Sequence, residues 1–229
     1  MSTGPSRPRL HHAGDGLLLV EFEAAIAPDV NRRVVALAAA IGRAGVAGVR
    51  DIVPAYASVG VHIDPLRFDQ AALDAVISRA WDTAAGDDTP EHVVEIPVCY
   101  GGRFGPDLAE VADFAGCSED EVIARHAGGR YRVYMLGFLP GFAYLGSVDA
   151  SIAMPRRVAP RTGVPAGSVG IAGAQTGVYP CESPGGWRLI GQTAVVMFDP
   201  TRSTPALLAP GDSVRFVPLV HDRWTGRAA

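Results

Sequence analysis

Three arginines, Arg156, Arg157 and Arg161, fall within six residues of the segment MPRRVAPRTGVPAGSVG (154–170). A guanidinium is a planar fork of donors that matches a carboxylate or a phosphate at two points. Prolines at 155, 160 and 165 stiffen the segment, which lowers the entropy lost in aiming those forks. Two readings are open: an anion-binding loop, or a solvated loop whose arginines find acidic partners within the chain. The overlapping stretch SVGIAGAQTGVYPCESPGGWRLIGQT (168–193) holds six glycines and two prolines, and Glu182 is its one acidic residue. Among its uncharged hydrogen-bonding side chains are Gln175, Thr176 and Tyr179, and glycines around them let a ligand approach backbone N–H groups closely. The turn Ser183-Pro184-Gly185-Gly186 delivers Trp187. Such a stretch reads as a neutral, donor-rich recognition surface rather than an acid–base centre. Upstream, GFLPGFAYLG (137–146) sets Phe138, Phe142 and Tyr144 around a Gly/Pro turn. Those rings are either an aromatic plug under a barrel rim or the lining of a ligand or partner groove.

Several chemistries are excluded or disfavoured. All twenty basic residues are arginine, so the chain has no P-loop, no Schiff-base lysine and no biotinyl or lipoyl attachment site. Cys99, Cys117 and Cys181 form no CxxC pair, and their odd number argues against a disulfide framework and suits a reducing cytoplasm. Cys99 and Cys181 read as buried small hydrophobes rather than nucleophiles. Ser168 lacks the glycine spacing of a nucleophile elbow. His62 reads as a satisfied strand histidine. His126 falls in the last turn of a helix, where a cation suits the dipole. No HExxH or CxxC spacing supports a metal site. The net charge of −4 offers no basic footprint for nucleic acid. No apolar run reaches membrane-spanning length, and the first residues, MSTGPSRPRLHHAGDG, lack the apolar centre of a secretory signal.

The elements that must carry these residues fall into two groups. Residues 1–15 read as a disordered lead-in and 16–90 as an α/β domain. It holds a strand from Leu17, a helix opened by Pro28, strands at 49–57 and 58–63, and a helix at 68–81. This β-α-β-β-α order is that of a ferredoxin-like split β-α-β unit, with His92–Tyr100 available as its last strand. Residues 83–90 read as a linker. In 91–222, Pro106 opens one short helix. Ser118 caps the next, with Glu121 three residues on as a capping box. From Tyr131 the chain is strands and turns, including 193–198 and 213–219, which predicts a mostly-β barrel or sandwich with long loops. Residues 223–229 read as a tail.

Taken in order, VCYGGRFGPDLAEVA, YRVYMLGFLPGFAYLG, PRRVAPRTGVPAGSVGIAGAQTGVYPCESPGGWRLIGQT and LLAPGDSVRFVPL closely resemble the family of PxpB and KipI, also called allophanate hydrolase subunit 1 or carboxyltransferase subdomain C and D. Small departures are Ala143, Gly163 and Ala174, none of which removes a hydrogen-bonding group. The resemblance implies an α+β chain with a ferredoxin-like N-terminal domain and a cyclophilin-like β-barrel. It implies partners, a homologous PxpC-like subunit and a PxpA-like subunit, which together form a 5-oxoprolinase that opens 5-oxoproline to glutamate at the expense of ATP. It also implies two alternatives: a KipI-like inhibitor of a sensor histidine kinase, and a urea- or allophanate-processing carboxyltransferase-type subunit. Under the first reading, Arg156, Arg157 or Arg161 pairs with the substrate carboxylate or a phosphate. Gln175, Thr176 and Tyr179 bond a lactam or carbonyl, and Phe138, Phe142, Tyr144 and Trp187 line a groove or partner face. A cytoplasmic location follows from the same reading.

Overall fold

The computed structural model describes residues 7–83 and 92–220. The chain divides between Pro90 and Glu91 into two compact units. The first contains β1 (Arg9–His12), β2 (Leu17–Glu21), α1 (Pro28–Ala44), β3 (Val49–Pro54), β4 (Ser58–Ile63) and α2 (Gln70–Thr83). Its sheet runs β1-β2-β4-β3, with every neighbouring pair antiparallel. Proline opens α1, where a missing N–H costs nothing. Val30, Val34, Leu37 and Ile41 then recur at helical spacing and are buried. Leu18, Val20, Val59 and Val61 supply the sheet side of this core, and Leu73 and Val76 of α2 close it.

Two expectations about this unit are corrected. The lead-in is not wholly without structure: Arg9–His12 pairs with β2 in the register Arg9↔Glu21 to His12↔Leu18. The split β-α-β arrangement is present as β2-β4-β3, but His92–Tyr100 does not complete it. The position beside β2 belongs to β1, and the strand at Val93–Tyr100 joins the second unit. A hairpin closes a short local loop, and the run VVEIPVCY is apolar enough to be buried in a barrel wall, with Ile96, Val98 and Cys99 fully covered. The expected linker and the tail at 223–229 lie outside the described residues, apart from Thr83, which ends α2.

The second unit contains β5 (Val93–Tyr100), α3 (Leu108–Ala115), α4 (Glu119–Gly128), β6 (Tyr131–Leu136), β7 (Ala143–Gly146), β8 (Arg161–Val164), β9 (Ser168–Ala172), β10 (Gln175–Val178), β11 (Ser183–Gly185), β12 (Arg188–Gln192) and β13 (Ser213–Leu219). Among the described residues, seven strands close a barrel in the order β10-β7-β6-β13-β5-β12-β9, while β8 and β11 pair separately. Closure leaves the barrel strands no open edge. Strands β5 and β13 run parallel over Val93–Cys99 and Ser213–Leu219, and the other barrel pairs are antiparallel. Inside sit Ile96, Val98, Val133, Leu145, Val169, Ile171, Ile190 and Phe216, with α3 and α4 covering part of the wall through Leu108, Val111 and Val122. The capping box begins as expected: the Ser118 hydroxyl accepts from Glu121 N–H at 3.2 Å. The segment 193–198 is not a strand. Met197 is buried and its carbonyl accepts from Leu207 N–H, and one isolated bridge joins Phe198 to Ala206. None of the described helices is long and apolar enough to cross a membrane.

Candidate functional site: an arginine loop held on the barrel

The arginine loop is fastened by a residue that its own sequence gives no hint of. Asp107 sits at the N-cap of α3, and its carboxylate is almost completely buried. Arg161 grips it with two parallel bonds, Nη2 to Oδ1 at 2.6 Å and Nη1 to Oδ2 at 2.9 Å. Arg157 Nη1 donates to Oδ1 at 3.2 Å, and Leu189 N–H donates to Oδ2 at 2.7 Å. Asp107 N–H in turn donates to Leu189 O at 2.9 Å, so the start of α3 and strand β12 are tied reciprocally. A buried carboxylate needs this many donors to offset its desolvation.

Glu110, one turn on, pairs with Arg188 and lies 3.7 Å from Arg157. Two backbone bonds complete the seam: Arg157 N–H to Gly186 O at 2.7 Å and Arg188 Nε to Pro155 O at 3.2 Å. Three guanidinium groups therefore face two carboxylates. Arg157 and Arg161 find acidic partners within the chain, as the second of the open readings expects, while Arg156 is exposed and forms no ion pair among the described residues. Among the described residues, Arg157 Nε is buried without a hydrogen-bond partner. The bond to Asp107 holds the already high pKa of Arg161 higher still.

Beside this seam lies an aromatic cluster centred on Phe142. Its ring meets those of Tyr144, Tyr179, Trp187 and Phe138 edge-on, at centroid distances of 5.0, 5.4, 5.4 and 5.6 Å. Edge-to-face contact is the favourable arrangement for such quadrupoles. Phe142, Tyr179 and Trp187 are buried and Tyr144 is half-buried, which is the plug reading. Phe138 departs from it: the residue is 60% exposed and has a φ of +64°. The Tyr179 hydroxyl lies against the backbone of Gly185, where a β-carbon would come within 2.8 Å of the phenol ring. Burial, the largest influence, pushes the Tyr179 pKa up, so the phenol keeps its proton. Tyr179 thus supports the 183–186 turn from below rather than presenting its hydroxyl at the surface.

Thr176 also lies elsewhere than its motif suggests. It is fully buried, and its hydroxyl donates to Gly170 O at 2.9 Å. The same oxygen lies 2.9 Å from His126 Nε2, and Tyr100 Oη lies 2.8 Å from His126 Nδ1. Since the threonine proton is committed to Gly170, His126 must donate from Nε2 and accept the Tyr100 proton at Nδ1. Burial alone lowers the His126 pKa from 6.5 to about 3. His126 is therefore a neutral core residue stacked 4.6 Å from Phe216, not a dipole-stabilised cation. Gln175 sits at the other end of β10, opposite Gly146 and Ala172, about 13 Å of strand away from Tyr179.

Cys181, expected to be buried, is exposed, whereas Cys99 is buried and its thiol pKa is pushed up by desolvation. His62 is exposed on β4. Sequence reasoning did not single out Asp107, Glu110 or Arg188, and it gave His126 the wrong environment. An acid at a helix start reads as ordinary dipole complementarity, and no local signal joins it to arginines fifty residues away. Among the described residues, no group of three or more His, Cys, Asp or Glu could hold a metal ion.

A seven-stranded barrel carrying this motif-rich loop defines a family. The profile of the carboxyltransferase domain, subdomain C and D, matches residues 8–208, and the chain belongs to that family. It is 44% identical over 223 residues to the B subunit of 5-oxoprolinase from Bacillus subtilis (strain 168), covering 92% of each chain. It is 43% identical over 215 residues to the B subunit of 5-oxoprolinase from Escherichia coli O157:H7, covering 93% of this chain and 96% of that one. Among solved structures, TTHA0988 matches with a TM-score of 0.80 at 42% identity over 89% of this chain, which spans only 40% of the TTHA0988 chain. The urea amidolyase of Kluyveromyces lactis, at 22% identity and a TM-score of 0.72, shares the fold; the match covers 94% of this chain and 15% of that one.

Proposed function

We propose that the chain is the B subunit of a 5-oxoprolinase-type heteromeric complex, which opens 5-oxoproline to L-glutamate with ATP in concert with PxpA-like and PxpC-like partners in the cytoplasm. The observation that carries this is the 44% identity, spread over 92% of both chains, with a protein named for that role. On this reading the barrel is the cyclophilin-like domain of the family, and the first unit is a variant of its ferredoxin-like one.

The side chains of the loop suit a partial site. With no lysine anywhere in the chain, ATP is not held by a P-loop of this subunit. The residues offer an exposed guanidinium, a rigid aromatic bed and close-approach glycines, but no paired acid and base. They suit orientation of an anionic lactam, the step that positioning groups contribute to catalysis. A urea- or allophanate-type substrate rests on distant similarity alone. A kinase-inhibitor role would use the aromatic loop as its face, where Phe138 is the one exposed ring of the cluster.

The test is ATP-dependent glutamate release from 5-oxoproline by this chain with its partner subunits, each omitted in turn. Release only from the complete mixture is expected. No release from that mixture, with every protein folded, overturns the proposal.

A further inference from the structure

We infer that Arg156, and not Arg157 or Arg161, is the residue that meets the oxyanion of the ligand, and that Asp107 is the positioning residue that fixes it there. This rests on the 5-oxoprolinase reading. Asp107 and Glu110 engage Arg157, Arg161 and Arg188 in ion pairs within the chain, and both terminal nitrogens of Arg161 are held on Asp107 at 2.6 and 2.9 Å. A guanidinium so engaged cannot rotate to a ligand without abandoning a buried carboxylate. Arg156 has no such tie among the described residues. Its Nη2 lies 3.5 Å from where a β-carbon on Gly186 would stand, so the guanidinium lies beside the glycine turn. The turn is itself held, by the Arg157 N–H bond to Gly186 O at 2.7 Å. The arrangement divides labour: two arginines anchor a loop on one buried acid, and the third is exposed beside Gly186.

The ligand chemistry is a carboxylate or a phosphoryl group, both of which an arginine fork accepts. In the reconstituted complex, Arg156→Gln should raise a KM about tenfold or more with kcat changed less than about threefold, because a uniform binding contact is removed. A rise in the KM for 5-oxoproline identifies the carboxylate, and a rise in the KM for ATP identifies the phosphoryl group. Arg156→Lys should recover part of the loss. Asp107→Asn should raise the same KM, and the double variant should be little worse than either single one, since both act through one contact.

An arm that needs no activity uses phenylglyoxal on the single chain. Arg156 should react at least about tenfold faster than Arg157 and Arg161, whose forks are engaged by carboxylates, and Asp107→Asn should bring all three to similar rates. Equal labelling of the three in the wild-type chain, or an Arg156→Gln complex with both KM values unchanged, overturns the inference. A wild-type complex that releases no glutamate overturns the 5-oxoprolinase reading instead, and the labelling arm then decides the inference by itself.

Discussion

The fully buried His126 makes the barrel's stability depend on pH in a way that can be worked out beforehand. In the folded chain its pKa is lowered from 6.5 to about 3 by burial, and in the unfolded chain it returns to the ordinary value. Between those limits the unfolded state binds the extra proton, so stability is full above about pH 6.5 and falls as the pH drops toward 3. Integrating the protonation difference from pH 8 to pH 5 gives a loss of about 2 kcal/mol, approaching about 1.4 kcal/mol per further pH unit. The carboxylates of this unit whose values are lowered, Asp149 and Asp199, start from 3.8, so they add their own loss only at lower pH.

Urea unfolding followed by circular dichroism from pH 8 to pH 5 measures the effect, with His126→Gln as the control. The variant starts less stable, because Tyr100 and Thr176 lose their partner, but its pH dependence over this range should be nearly flat. A wild-type midpoint that does not move between pH 8 and pH 5, or a His126→Gln slope equal to that of the wild type, would refute the buried neutral assignment.

Two further substitutions follow from the same geometry. Asp107→Ala leaves Arg157, Arg161 and the Leu189 N–H without their acceptor. It should cost about 3 kcal/mol, the low end for a broken buried pair because both arginine heads keep some contact with water, read as a lowered urea midpoint. Gly185→Ala would drive a methyl to within 2.8 Å of the Tyr179 ring carbons. Crowding of this kind should cost about 1–3 kcal/mol, and adding Tyr179→Leu should recover much of it in a double-mutant cycle.

The sequence determined what depends on neighbours along the chain. Helical spacing of Val30, Val34, Leu37 and Ile41 placed α1. The Ser118–Glu121 signature placed α4. The absence of lysine removed whole classes of chemistry outright. Even the crowding of arginines before a glycine-rich stretch marked the segment that the fold stitches to the barrel.

What the sequence left open was settled by contacts between residues distant along the chain. Which sheet receives Val93–Tyr100 depends on pairing with β13, far along the chain at Ser213–Leu219. Whether an arginine is free or spent depends on Asp107, fifty residues before Arg157. Whether His126 carries a charge depends on the barrel that closes over it. Local pattern specifies local conformation, because helix and turn preferences act over a few residues. The ionisation and availability of a side chain depend on burial and partners, and only the folded chain supplies those.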